Sequence, residues 1–371
     1  MRRRTFLKDT AIGVAAFAGG ALPALGATNK AANGNSAREV SVNAKAPLSI
    51  GRPVRVVSIG FEGLAVPLDK IVPHVEAEGA RGTDVILLQE LCRGLDATSE
   101  ESLEGPTVKA MSALAAKHRT YIAAPIDRRD GKRRFNTVVL LDRNGHIVSL
   151  YNKLYPYWSE YDVHPPISPG NASDVYEADF GRVGIATCFD ANFPEVWRRL
   201  SEMNAELVLW PSQYSGGTSL QAHALNHHYY IVSSTAMADC NVYDITGERL
   251  LYEKAPEVNI SRVSLDLDRG IYHENFNLEK RDKLLKEHSE DVVQEQWLHQ
   301  EQWFVLKAKR PGVSARALAR QYGLEELRHY IERSRAAIDK KRGWEFDAQN
   351  VFPEKSVGEL LTLAPEKQTL V

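Results

Sequence analysis

The chain has 371 residues, 43% of them hydrophobic and 25% charged, a globular balance long enough for one large domain or two. Lys and Arg number 46 against 48 Asp and Glu, a net charge of −2, which argues against nucleic-acid binding through a basic surface. No apolar run reaches the roughly 18 residues of a membrane-spanning helix, and three cysteines cannot supply a disulfide framework.

The first segment stands apart. Arg2-Arg3-Arg4-Thr5-Phe6-Leu7-Lys8 precedes a weak apolar stretch, Ala11 to Leu25, interrupted by glycines and Pro23 and ending Ala24-Leu25-Gly26-Ala27. A cationic start, an apolar middle and small residues at the end make an export leader. Arg3-Arg4-x-Phe6-Leu7-Lys8 resembles a twin-arginine signal, which implies cleavage after Ala27 and a folded protein delivered to the periplasm. Residues 28–50, rich in Asn, Ala, Ser and Lys, read as a flexible tether without a core.

Residues 51–271 alternate short apolar runs with helical periodicity. Val54–Ile59 reads as a strand, and Leu68, Ile71, Val72 and Val75 share one helix face. Asp84–Gln89 is a buried strand that delivers Glu90 at its carboxyl end. A helix opened by Pro106 follows, then a strand at Tyr121–Ile126 and a hairpin, Thr137–Leu141 with His146–Leu150, around Asp142-Arg143-Asn144-Gly145. Arg182–Thr187 is a second buried strand, ending at Cys188. A helix from Pro194 to about Ala205, strands at Leu207–Leu209 and Tyr230–Ser234, a hairpin around Asp244-Ile245-Thr246-Gly247 and a strand at Arg262–Asp268 complete this part. No internal repeat is visible. The alternation predicts an α/β fold, and the hairpins make its sheet mixed.

Residues 272–371 turn charged and helical. Ala315, Leu318, Ala319 and Tyr322, then Leu324, Leu327 and Ile331, form two helical stripes broken at Gly323. Acids lie among the bases, so the pair is expected to pack on the body or on a partner subunit rather than on nucleic acid.

Three buried runs end in a reactive side chain. Glu90 at a strand end, partly desolvated, suits a general base. Lys153, in Tyr151-Asn152-Lys153-Leu154, can donate to a developing oxyanion. Cys188 lies between a strand and a helix, a turn that exposes its sulfur beside free backbone N–H groups. A thiolate there can attack a carbonyl while those groups hold the oxyanion. Taken singly, each has an ordinary structural alternative: an exposed strand-end Glu, a surface Lys, a small buried Cys.

Together, and with Cys188-Phe189-Asp190-Ala191-Asn192-Phe193-Pro194-Glu195, they resemble the nitrilase, or carbon–nitrogen hydrolase, superfamily over residues 53–270. The resemblance implies a four-layer α-β-β-α sandwich, here with a C-terminal helical extension, assembled as a homodimer or higher homo-oligomer. It implies Glu90 as general base, Lys153 on the tetrahedral intermediate, Cys188 as nucleophile and the Phe189 N–H in the oxyanion hole. Glu160 best matches a further family glutamate that orders the lysine, ahead of Asp162. Asn192, Gln213 and Tyr214 are implied substrate contacts, and the chemistry needs neither metal nor organic cofactor. Phe189 in place of Trp points to the amidase branches and a small-molecule amide substrate. N-carbamoyl-amine hydrolysis, N-acyl transfer and a non-catalytic binding role are the alternatives. His223-Ala224-Leu225-Asn226-His227 departs from the family's Arg-Ala-x-Glu-Asn, and its i, i+4 histidines have metal-ligand spacing without a third ligand in view. Cys92 and Cys240 are read as small apolar residues, not a disulfide.

Overall fold

The structure, a computed structural model, describes residues 49–343 apart from Ala97. The expected leader, all but the last two residues of the tether, and residues 344–371 lie outside them. The first half runs β1 (Pro53–Phe61), α1 (Leu68–Gly79), β2 (Val85–Leu88), α2 (Pro106–His118), β3 (Tyr121–Asp130), β4 (Arg133–Leu141) and β5 (Ile147–Asn152). The second runs β6 (Val175–Ala178), β7 (Gly181–Ile185), α3 (Pro194–Glu202), β8 (Leu207–Ser212), α4 (Thr218–His227), β9 (Tyr230–Thr235), β10 (Asp239–Tyr243) and β11 (Arg249–Lys254). Strand β12 (Val258–Asp266) returns to the first sheet.

The two sheets are ordered β12-β1-β2-β3-β4-β5 and β11-β10-β9-β8-β7-β6. In each, three central strands are parallel and the outer ones antiparallel. The halves share this plan although their residues show no repeat, because topology needs only the order of buried strands and helices.

The period of two along each strand builds the layers. Val57, Ile59, Ile86, Leu88 and Ile122 meet Ile71, Val75, Met111 and Leu114 of α1 and α2. Val54, Val56, Val85, Leu87 and Val138 turn the other way, into a core shared with the second sheet. That core extends to Val196, Trp197, Leu200, Leu220 and Ala224 of α3 and α4. Each such side chain contributes about 1.5–3 kcal/mol on burial. The result is the expected α-β-β-α sandwich.

At Ser58 and Gly60 the two sheets nearly touch. Ser58 donates to Ser233 O at 2.7 Å, and a Cβ on Gly60 would stand 2.6 Å from Thr235 O. Both predicted hairpins turn alike: Gly145 (φ +79°) and Gly247 (φ +81°) occupy the left-handed position, each donating its N–H to the Asp three residues back at 2.9 Å.

Beyond Gly270 the structure departs from a wholly helical reading. Helices α5 (Leu278–Glu287), α6 (Ala315–Gln321) and α7 (Leu327–Arg342) are present. They share the segment with an antiparallel sheet, β13-β15-β14, made of β13 (Gly270–His273), β14 (Val292–Leu298) and β15 (Trp303–Ala308). Tyr272, Leu284, Phe304, Leu306 and Ala319 form its own core. The two predicted stripes are α6 and α7, separated at Gly323 (φ +73°). Among the described residues no helix is long and apolar enough to cross a membrane.

Candidate active site

Strand β7 ends at Ile185, and the chain turns through a 3₁₀ segment, Cys188–Asn192, before Pro194 opens α3. Cys188 sits at φ +47°, a left-handed backbone that a β-carbon disfavours and that surrounding structure must hold. Asp190 does much of the holding. Its Oδ2 accepts from Thr187 N–H at 2.9 Å and the Tyr151 hydroxyl at 2.6 Å, and its Oδ1 accepts from Tyr155 N–H at 2.9 Å. Burial pushes the Asp190 carboxyl up to about 7, with Tyr151 and Lys153 working against it.

Glu90 follows β2, Lys153 follows β5, and Glu160 lies in a 3₁₀ turn at Trp158–Tyr161. The structure brings the three together. Lys153 Nζ is 2.8 Å from Glu90 Oε1 and 2.6 Å from Glu160 Oε2. Asn136, from β4, joins the same carboxylates: its Nδ2 donates to Glu90 Oε1 at 2.7 Å and to Glu160 Oε1 at 2.9 Å. Its carbonyl accepts the Lys153 N–H at 2.9 Å. None of these four residues is more than 2% exposed, so the ion pairs are made away from water, where they are strong and costly to break. Asp162, the weaker match, is exposed.

Among the described residues Glu90 Oε2 has no hydrogen-bond partner. Burial raises the Glu90 pKa, Lys153 opposes it and the charge of Glu160 adds to it. Burial alone would draw Lys153 down, but Glu160 and Glu90 outweigh it and hold the ammonium well above its ordinary range. The Cys188 thiol is pushed up to about 12, by burial first and then by the charge of Glu90. Lys153, the Gln213 backbone N–H and the Ser212 hydroxyl partly offset this. Burial thus favours the thiol form of the sulfur, next to a base whose Oε2 has no partner among the described residues and a cation whose two carboxylates favour its charged form. Such a set can move a proton from sulfur as sulfur attacks, and can stabilise an oxyanion.

Phe189 packs edge-on against Tyr157 and Phe193, at centroid distances of 5.2 and 5.3 Å. With half-exposed Tyr157 and Trp158 they form an aromatic rim. Gln213 and Tyr214, after β8, also reach the site: the Gln213 N–H faces the sulfur, and the Tyr214 hydroxyl is pushed up to about 12 by burial first and then by its nearness to Cys188 and Glu90. Asn192 is exposed, and its Nδ2 donates to Phe189 O within its own turn at 3.1 Å.

The histidines have a packing role. His223 stacks on Trp197 at 4.2 Å and pairs with Ala191 O at 2.9 Å, and His227 lies against His223 and Tyr229. Among the described residues no three side chains are grouped to hold a metal ion. Cys92 and Cys240 are free and buried in different clusters. Asn136 is the residue sequence reading missed. Its only signal is an amide within a largely buried strand, Phe135-Asn136-Thr137-Val138-Val139.

A family model described as carbon–nitrogen hydrolase matches residues 64–269. The chain is similar to citrullinase from Francisella tularensis, 27% identical over 189 residues, which are 47% of this chain and 66% of that one. It is also similar to beta-ureidopropionase from Arabidopsis thaliana, 28% identical over 196 residues, 45% of this chain and 48% of that one. It thus spans half to two thirds of these curated relatives. In fold it matches a Saccharomyces cerevisiae member of branch 10 of the nitrilase superfamily, with a TM-score of 0.52 at 18% identity, covering 58% of this chain and 91% of that one.

Proposed function

The chain belongs to the carbon–nitrogen hydrolase family, and on that premise we propose that it hydrolyses a small non-peptide amide through a thioester on Cys188. The observation that carries the reading is Glu90 Oε2: buried and, among the described residues, unpartnered, while Lys153 and Asn136 fix the other oxygen of the same carboxylate.

Attack begins as the Cys188 sulfur bonds to the amide carbon and its proton passes to Glu90. The carbonyl oxygen becomes an oxyanion, held by Lys153 Nζ and the Phe189 N–H. Collapse breaks the carbon–nitrogen bond. Glu90 returns its proton to the departing nitrogen, which leaves as ammonia or an amine. Water then gives a proton to Glu90 and attacks the thioester, the sulfur leaves and regains its proton, and the free acid is released. Lys153 stays charged throughout, as its two carboxylates require. Glu160 is a positioning residue that acts through Lys153. Gln213 and Tyr214 are the substrate contacts that the arrangement favours.

A second reading, hydrolysis of an N-carbamoyl amine to ammonia, carbon dioxide and the amine, is supported by the names citrullinase and beta-ureidopropionase among the relatives. Ammonia release from short amides, N-carbamoyl amines and nitriles, with Cys188→Ala as control, tests both. Release from one class, absent in the variant, supports the mechanism and selects the substrate class. Release that persists in Cys188→Ala refutes it.

Two further parts of the reading rest on sequence. Residues 1–27 are proposed to direct export by the twin-arginine route to the periplasm, on the strength of Arg3-Arg4-x-Phe6-Leu7-Lys8. The mature protein is proposed to assemble as a homo-oligomer, as the family resemblance implies.

A further inference from the structure

The groups around Cys188 come from two separate sheets. Glu90, Asn136 and Lys153 stand on or just after strands of the first sheet, β2, β4 and β5, whereas Cys188 lies beyond the end of β7, in the second. Lys153 pairs with Glu90 and Glu160, neither of which belongs to the second sheet. Glu90 reaches Cys188 directly, but that contact changes as the proton passes between them. A lysine that must meet an oxyanion formed at Cys188 needs a tie across the boundary that the reaction leaves intact.

The Asp190 carboxylate, two residues past Cys188, is placed as that tie. One of its hydrogen bonds stays on its own side, from the Thr187 N–H at 2.9 Å, next to the nucleophile. Two cross over, from the Tyr151 hydroxyl at 2.6 Å and the Tyr155 N–H at 2.9 Å. Those donors stand two residues before and two residues after Lys153, so one carboxylate grips the lysine segment on both flanks. Asp190 is 0% and Tyr151 3% exposed, so a broken bond here strands a buried group. Farther out, the Tyr155 ring stacks on Phe193 at 3.6 Å and its hydroxyl donates to Glu195 at 2.5 Å, joining the same two segments. The tie needs both carboxylate oxygens. An amide in the same place would turn its NH2 against the N–H of either Tyr155 or Thr187.

We propose that Asp190 is a positioning residue that sets Lys153 against Cys188 across the two sheets, acting on the lysine through Tyr151 and the Tyr155 N–H. This rests on the reading of Cys188 as nucleophile and Lys153 as oxyanion donor. A lysine displaced from the sulfur still lets an amide bind, but it meets the oxyanion poorly once the sulfur–carbon bond forms. The loss therefore falls on kcat rather than on KM.

Tyr151→Phe removes one hydroxyl from the tie and leaves Asp190, Lys153 and Cys188 in place. Tyr230→Phe is the control: it removes another buried hydroxyl, bonded to Asp266 O at the opposite end of β9. Iodoacetamide alkylation of the full chain, followed by peptide mapping, reads the lysine's position without turnover, because the nearby ammonium favours the Cys188 thiolate. Alkylation at Cys188 should slow about threefold or more in Tyr151→Phe. In a Lys153→Met background the same change should have no further effect, since the tie acts through the lysine. On an amide that releases ammonia, kcat should fall about tenfold in Tyr151→Phe and about 10²-fold in Asp190→Asn, with KM within about twofold. Tyr230→Phe should keep both constants. Alkylation of Tyr151→Phe at the parent rate, a slowing that persists beside Lys153→Met, or an equal loss of kcat in Tyr230→Phe would each overturn the proposal. Ammonia release that persists in Cys188→Ala would instead refute the mechanism it rests on, and the alkylation rates would still decide whether the tie holds the lysine to the sulfur.

Discussion

Replacing Lys153 by methionine removes one positive charge from a site that holds two carboxylates. The side chain is 1% exposed, with its Nζ 2.8 Å from Glu90 and 2.6 Å from Glu160. Methionine fills a similar volume, so the cost is electrostatic, not a cavity. Removing one partner of a buried pair costs about 3–5 kcal/mol, because the partner left behind is neither solvated nor neutralised. Here two partners are left, and Asn136 alone still donates to both. One of the carboxyls must then bind a proton in the folded protein that it does not bind in the unfolded chain. A group whose folded-state pKa is raised stabilises fully below its unfolded pKa and loses that contribution as pH rises through the folded one. Lys153→Met should therefore be mildly destabilised near pH 5 and increasingly so toward pH 8, with a limiting slope of about 1.4 kcal/mol per pH unit. Urea unfolding of both proteins at several pH values measures this. Adding Glu160→Gln should recover part of the loss, since it removes one of the stranded charges. A Lys153→Met protein within about 0.5 kcal/mol of the parent, or a deficit that does not change with pH, would refute the reasoning.

Three other outcomes are expected. Asn136→Leu removes the amide that bridges Glu90 and Glu160, and should lower kcat by about 10²-fold with KM little changed, as steady-state kinetics will show. Gly60→Ala puts a methyl 2.6 Å from Thr235 O, where backbone must yield, and should cost about 1–3 kcal/mol in urea denaturation. Burial lowers His227 to about 3 and His228 to about 4 from an ordinary 6.5, so the fold keeps them neutral while the unfolded chain protonates. Stability should thus fall as pH drops below about 6.5, by up to about 1.4 kcal/mol per pH unit for each. His227→Phe, which keeps an aromatic ring beside Tyr229, should make the denaturation midpoint less sensitive to acid.

What could be read from the sequence follows from where each side chain stands. Glu90 and Cys188 each follow an apolar, buried strand run, which aims the next polar residue at the sheet end, whereas the strand before Lys153, expected to be buried, is largely exposed or half-buried apart from Tyr151. Glu160 was reached only through the family resemblance, and its burial separates it from exposed Asp162. Asn136 was illegible because one amide inside a strand carries no role by itself: its meaning comes from Glu90 and Glu160, 46 and 24 residues away. Asn192 was read as a substrate contact, with a structural turn role as the alternative, because it lies in a loop after a family strand that lines the pocket, and its Nδ2 donates to Phe189 O within that turn. The small sheet beyond Gly270 was hidden by composition. Val292–Leu298 sets Gln294-Glu295-Gln296 in one block between two apolar pairs, so no period of two marks it as a strand, while Trp303–Ala308 is short enough to pass for a helix turn.

The central claim is a covalent bond between Cys188 and the acyl part of the substrate. The most direct measurement is the intact mass of the protein, acid-quenched during turnover of whichever amide releases ammonia, followed by peptide mapping. The account predicts a mass gain equal to the acyl group, on the peptide that carries Cys188, which disappears as substrate runs out and never forms in Cys188→Ala. Ammonia release with no adduct, and with Cys188→Ala still turning over, would contradict it.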